Sequence, residues 1–269
     1  MCTIWQGYTF YEVNDMNILI ANDDGIEARG VRELVTTLSQ AADVYVCAPD
    51  GQRSAFSHAI STGKTIHVKE VEVPNAKMAF AIGGTPADCI KVGMRVMRGR
   101  GVHIDMVFAG INHGSNLGTD TIYSGTVGAA IEGNLCGVPA VAVSVGDHQA
   151  SHFEYACKLA LNVVKKCADK IPNNMVLNIN VPDIPSDQVQ GVKYTVLGDR
   201  DYVEDLDPHV AAQREFDYSY GGIPVEYEDL PDTIDVIADQ NQYATITPLQ
   251  HDMTYYGKVE EIKNWGIDQ

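Results

Sequence analysis

Asn22-Asp23-Asp24-Gly25 sets two carboxylates side by side at the end of an apolar run, Met16 to Ala21. Adjacent carboxylates repel, so keeping both ionised at neutral pH requires a compensating positive charge. Two further loops offer hard oxygen donors: Pro49-Asp50-Gly51-Gln52-Arg53-Ser54, and Asn112-His113-Gly114-Ser115-Asn116-Leu117-Gly118. Carboxylate, hydroxyl and amide oxygens suit Mg²⁺, Mn²⁺ or Ca²⁺ better than Zn²⁺, and no Cys or His cluster argues for zinc. Taken alone, Asp-Asp-Gly reads more simply as a helix cap and a solvated turn; Ser- and Asn-bearing loops at the next strand ends shift the balance toward a cation.

A second element is Tyr123-Ser124-Gly125-Thr126-Val127-Gly128, just ahead of a small-residue helix. A Ser cap there exposes backbone N–H groups at the positive end of the helix dipole, which suits phosphate, although it is also an ordinary capped helix. A cation site and an anion cradle on one sheet edge imply phosphoryl chemistry. His113 is placed beside Asn112 to protonate a leaving alkoxide, a role that the sequence does not separate from that of a solvated loop histidine. Arg53 suits a phosphate or a surface ion pair equally, and His251 with Asp252 could line an entrance. Ser124 is not a nucleophile of the elbow type, because Ile122 stands where that turn needs Gly.

The elements that must position these residues alternate. Short apolar runs at 16–21, 43–48, 105–111, 139–145 and 175–182 are separated by segments of helical period, the pattern of βαβ units and a parallel sheet. Val31, Leu34, Val35 and Leu38 recur as one helical stripe. Thr85 caps a helix with Pro86 in its first turn and Asp88 three residues on. A further helix is expected from about Phe153 to Ala168. The stretch 52–84 carries shorter, partly exposed strands, and beyond Gly191 the helical period stops. GVKYTVLG, the acidic Tyr-containing segment and DVIADQNQYATITPL read there as strands and hairpins with long connections.

The expected fold is therefore α/β, a Rossmann-like, doubly wound, mostly parallel sheet with a β-rich C-terminal extension. Three segments follow: residues 1–15 as an N-terminal extension or alternative start, 16–190 as the core, and 191–269 as the extension. The composition agrees with this. The chain has 269 residues, 45% apolar and 20% charged, which excludes disordered and fibrous classes. Its net charge of −17 repels nucleic-acid backbones and anionic lipid. Thirteen acidic residues against Arg200 and Arg214 fall between Asp199 and Asp239. No apolar run reaches membrane length and no leader is evident, so the expected location is cytoplasmic. The six scattered cysteines read as buried thiols rather than disulfides or a zinc site.

Five ordered motifs, MNILIANDDGI (16–26), APDGQRSA (48–55), GTPADC (84–89), GINHGSNLG (110–118) and YSGTVGAAIEG (123–133), resemble the SurE family of stationary-phase survival proteins. The likeness runs from Met16 to about Pro182, with a weaker echo at 245–254. The resemblance implies a metal-dependent 5′/3′-nucleotidase acting on nucleoside monophosphates and in some members on short polyphosphate. It places one divalent cation, Mg²⁺ or Mn²⁺ (Ca²⁺ in a crystal), on Asp23, Asp24, Ser54 and Asn112, which the strand-end loops also select. It implies a homodimer or homotetramer built through the C-terminal segments; the acidic stretch 199–239 matches no family motif. On this expectation Asp23, Asp24, Asn112 and His113 are catalytic, and Ser124, Gly125 and Thr126, with Gly114, Ser115 and Asn116, hold the phosphoryl oxygens. A non-catalytic phosphate- or nucleotide-binding oligomer with an acidic partner face is the alternative. A dinucleotide oxidoreductase lacks its G-x-G-x-x-G here, and a receiver domain lacks its phospho-acceptor Asp on the central strand and is typically less than half this length.

Overall fold

A computed structural model describes residues 16–203, 207–218, 222–227 and 230–267. The expectation for residues 1–15 lies outside the described residues, as does part of the acidic stretch. The core strands follow the expected runs: β1 (Asn17–Ala21), β2 (Asp43–Pro49), β3 (Val68–Val71), β4 (Met78–Ile82), β5 (Met106–His113), β6 (Ala140–Val145) and β7 (Val176–Val181). Between them lie α1 (Arg29–Leu38), α2 (Pro86–Gly99), α3 (Gly125–Leu135) and α4 (Glu154–Cys167). Beyond β7 come β8 (Val192–Tyr194), β9 (Tyr202–Val203), α5 (Pro208–Ala211), β10 (Ile223–Pro224), α6 (Asp235–Gln240), β11 (Ala244–Leu249) and α7 (Val259–Ile262).

The main sheet runs β3-β4-β2-β1-β5-β6-β7-β11-β8, parallel from β4 to β7, with β3 and β11 antiparallel to their inner neighbours. Each central strand is apolar on both faces because helices cover both sides. α1 and α4 pack on one face through Val31, Leu34, Val35, Leu38, Ala156, Ala160 and Val163. The stripe on α1 is fully buried, as its spacing predicts, and each such side chain contributes roughly 1.5–3 kcal/mol by leaving water. α2 and α3 close the other face through Cys89, Ile90, Met97, Val127, Ala129 and Ala130. Cys47, Cys89 and Cys157 are buried free thiols as expected, whereas Cys136 is exposed and Cys167 only half-buried.

The sequence of strands reverses direction across the sheet between β1 and β5: β2 and β4 lie to one side, β6 and β7 to the other. In such sheets the crevice outside the carboxyl ends at this switch receives ligands. The C-terminal third differs from the expected run of hairpins. β11 and β8 extend the main sheet, β9 and β10 form a separate two-stranded ribbon, and DVIADQ, expected as strand, is helix α6. The helix forms because Asp235, fully buried, accepts hydrogen bonds from the N–H groups of Gly118 and Gly198 at 2.8 and 2.9 Å. Its Val236 N–H also donates to Asp235 at 2.9 Å. This tertiary anchor overrides the strand preference of Val236 and Ile237.

Candidate active site

The three oxygen-bearing loops meet at the switch point. After β1 the chain turns on Gly25, whose φ of +102° only glycine adopts freely. A Cβ there would stand 3.2 Å from the backbone of Gly51, so the loops after β1 and β2 pass in contact. Ile26 N–H donates to Pro49 O at 2.9 Å, and Arg53 N–H to Asp23 O at 2.6 Å. Ser54 follows directly at the surface, its Oγ accepting from Gln52 Nε2 at 3.0 Å. The Arg53 guanidinium pairs with Asp50 at 2.8 Å, which is the ion-pair alternative.

The register of β5 against β6 breaks between Ala109 and Asn112. Gly110 permits it: at φ +132° its hydrogen faces Val143 O, which a Cβ would approach to 2.2 Å. The break delivers Asn112 and His113 to the sheet edge. His113 donates through its backbone N–H (3.1 Å) and Nδ1 (2.8 Å) to the same oxygen of Asp24. Phe153 meets the imidazole edge-on, with centroids 5.3 Å apart. Asn112 spends Nδ2 on Gly114 O at 2.7 Å.

Asp23 is buried at 5% exposure. Burial pushes its carboxyl up to about 6, and the neighbouring Asp24 charge adds to this; Thr126 opposes it. The Thr126 hydroxyl donates to Asp23 Oδ1 at 2.5 Å. A Cβ on Gly125 would sit 2.9 Å from Asp23 Oδ2, so glycine lets the N-terminus of α3 close on the carboxylate. Ser124 caps that helix, accepting from Val127 N–H at 3.0 Å.

Of the phosphate-cradle residues, Ser124 and Thr126 thus bind neighbouring protein atoms. Asn116 does the same: its N–H donates to Asn180 Oδ1, its Nδ2 to Ser144 Oγ, both at 2.7 Å, and its carbonyl accepts from Asn178 and Asn180. Gly114 N–H bonds Val145 O. The Gly125 N–H and the Ser115 hydroxyl have no protein partner among the described residues. His251, by contrast, faces Asn134 at 3.3 Å rather than this site.

The donor set fits a hard divalent cation. Asp24 Oδ1 and Asn112 Oδ1 accept no hydrogen bond among the described residues, the Asp23 carboxyl accepts from the Thr126 hydroxyl and from the backbone N–H groups of Asp23 and Thr126, and no Lys or Arg faces Asp23. No group of three or more His, Cys, Asp or Glu that could hold a metal ion gathers among the described residues, so neutral oxygens such as those of Ser54 and Asn112 would have to complete the set.

The sequence reading did not find Asn178, Asn180, Ser144 or Asp235, which brace the 114–118 loop from β7, β6 and α6. Asn178 and Asn180 carry a signal for it: two amides at period two inside an apolar, buried strand.

Comparison with known proteins agrees with the motifs. The family profile described as survival protein SurE matches residues 18–204. A 5′-nucleotidase SurE from Pelotomaculum thermopropionicum is 41% identical over 250 residues, covering 92% of this chain and 94% of the relative. One from Petrotoga mobilis is 39% identical over 251 residues, covering 93% and 99%. The crystal structure of SurE from Aquifex aeolicus superposes with a TM-score of 0.74 at 30% identity, over 92% of this chain and 98% of that one. With its five motifs gathered at one strand switch and its likeness running through nearly the whole length, this chain belongs to the SurE family.

Proposed function

We propose that this protein hydrolyses nucleoside 5′-monophosphates to nucleoside and phosphate in a cation-dependent reaction, with 3′-monophosphates and short polyphosphate as further substrates. The relatives' 5′-nucleotidase names support the substrate class. The observation that carries the site is Asp23, buried beside Asp24 and against the N-terminus of α3 with no basic side chain to neutralise it.

Asp23, Asp24, Ser54 and Asn112 would hold one Mg²⁺ or Mn²⁺ per subunit. Bound there, the cation neutralises phosphoryl charge and lowers the pKa of water. The remaining work falls to the chain. One of the two aspartates would also take the proton of the attacking water. The Gly125 N–H and the Ser115 hydroxyl hold phosphoryl oxygens at the positive end of α3, while Ser124, Thr126, Gly114 and Asn116 keep the cradle in shape. Asp24 orients His113 through Nδ1, so the ring presents Nε2 to the departing alkoxide. Positioning and charge stabilisation suffice for this transfer without a covalent nucleophile. We place the reaction in the cytoplasm, carried out by a homodimer or homotetramer.

Phosphate release from AMP, 3′-AMP and short polyphosphate, with and without EDTA and added Mn²⁺, tests this reading. Release should stop in EDTA and return with Mn²⁺; release indifferent to EDTA contradicts it.

A further inference from the structure

The loop that carries Ser54 is held in place by residues well outside the cation site. Ala55 and Ser57 both take left-handed backbone, at φ +58° and +52°, a conformation that non-glycine residues keep only where the surroundings over-determine it. The surroundings are explicit. Ser57 N–H donates to Tyr123 O at 3.0 Å and its Oγ to Ile122 O at 2.6 Å. Thr85 Oγ1 donates to Ala59 O at 2.6 Å, and Ser61 N–H to Asp88. Gly128 of α3 lies flat beneath: a Cβ there would come within 2.7 Å of Ser57 O and 3.0 Å of His58 Cα.

One of these ties joins two side chains across a buried charge. Glu132 on α3 is 3% exposed, and its carboxylate receives His58 at 2.9 Å on one oxygen and Lys91 on the other. Burial alone would raise its pKa, but the His58 and Lys91 donors outweigh burial and hold it below the usual value. With Lys91 on one oxygen and His58 on the other, Glu132 is the acceptor and His58 Nε2 the donor. Glu132 lies about two turns along α3 from Thr126, the residue whose hydroxyl holds Asp23.

We propose that His58 is a positioning residue for the active site: through Glu132 it clamps the Ser54 loop onto the helix that grips Asp23, fixing the separation of the site's two halves. The inference rests on the reading of Asp23, Asp24, Ser54 and Asn112 as cation ligands, and extends it to residues that touch neither cation nor substrate.

Two measurements on the full chain test it. Without cation, amide hydrogen exchange across residues 53–61 should quicken at least about tenfold in His58→Ala and stay near wild type in His58→Gln, whose amide still donates to Glu132. Unchanged exchange in His58→Ala overturns the proposal. By calorimetry, the Mn²⁺ dissociation constant should rise about tenfold in His58→Ala. Adding Ser54→Ala should then weaken binding no further than Ser54→Ala alone, since the two act through one ligand. Unchanged Mn²⁺ affinity or additive losses overturn the proposal. If wild type takes up no Mn²⁺, the proposed cation site itself fails, and exchange at 53–61 alone decides whether His58 holds the loop. Should His58→Ala not fold, His58→Leu, which fills the space of the ring and donates nothing to Glu132, carries the same tests.

Discussion

Asp23 is a buried carboxyl whose raised pKa marks a cost to the fold, one that the proposed cation site would offset. A carboxylate withdrawn from water beside a second carboxylate is destabilising until something positive joins it. Asp23→Asn removes that charge while keeping size and the Thr126 contact. Phosphate release from AMP should fall at least about a hundredfold, while the unfolding midpoint in EDTA should rise, the trade expected where activity demands strain. Retained turnover with added Mn²⁺ would remove Asp23 from the cation site. The Asp23–Asp24 pair was legible in the sequence because two acids at a strand end need an explanation. The bond from the Thr126 hydroxyl to Asp23 was not legible, because it spans 103 residues and no local pattern records such a pairing.

Among the elements, α2 was the most legible. Thr85 and Asp88 exchange hydrogen bonds as a capping box, Thr85 N–H to Asp88 Oδ2 at 3.0 Å and Asp88 N–H to Thr85 Oγ1 at 3.1 Å, with Pro86 at the first helical position. Burial would raise the Asp88 pKa, but the N–H donors of Thr85 and Ser61 outweigh it and bring it below the ordinary 3.8. A depressed carboxyl stabilises the fold above its unfolded pKa and loses that contribution as pH falls through the folded value. Asp88→Ala should thus cost about 1–2 kcal/mol near neutrality, and its difference from wild type in urea unfolding should begin to shrink as pH falls below ~3.8 and vanish once pH lies below the lower, folded value. A difference that persists undiminished in acid would show that packing rather than charge is involved. Helix α6 was not legible: six residues with adjacent β-branched side chains match a strand, and only the N–H groups of Gly118 and Gly198 converging on Asp235 decide otherwise.

For the molecule as a whole, alternation of strand and helix made the parallel core legible, since each period is local. Which sheet β8 and β11 would join was not, because strand periodicity does not encode a neighbour. The same region leaves a run of apolar side chains in water, with Met253 at 85%, Tyr255 at 73% and Trp265 at 60% exposure. Large exposed apolar residues in succession are characteristic of subunit contacts. Sedimentation should therefore give at least twice the 29.3 kDa chain mass, and a stable monomer would count against the homo-oligomer. The central claim is that one fold-level switch point brings three loops around a single cation, and anomalous diffraction from Mn²⁺-soaked crystals tests it most directly. The account predicts one strong peak per chain in contact with Asp23, Asp24, Ser54 and Asn112. A map with no peak there, or with its peak at a different set of side chains, would contradict it.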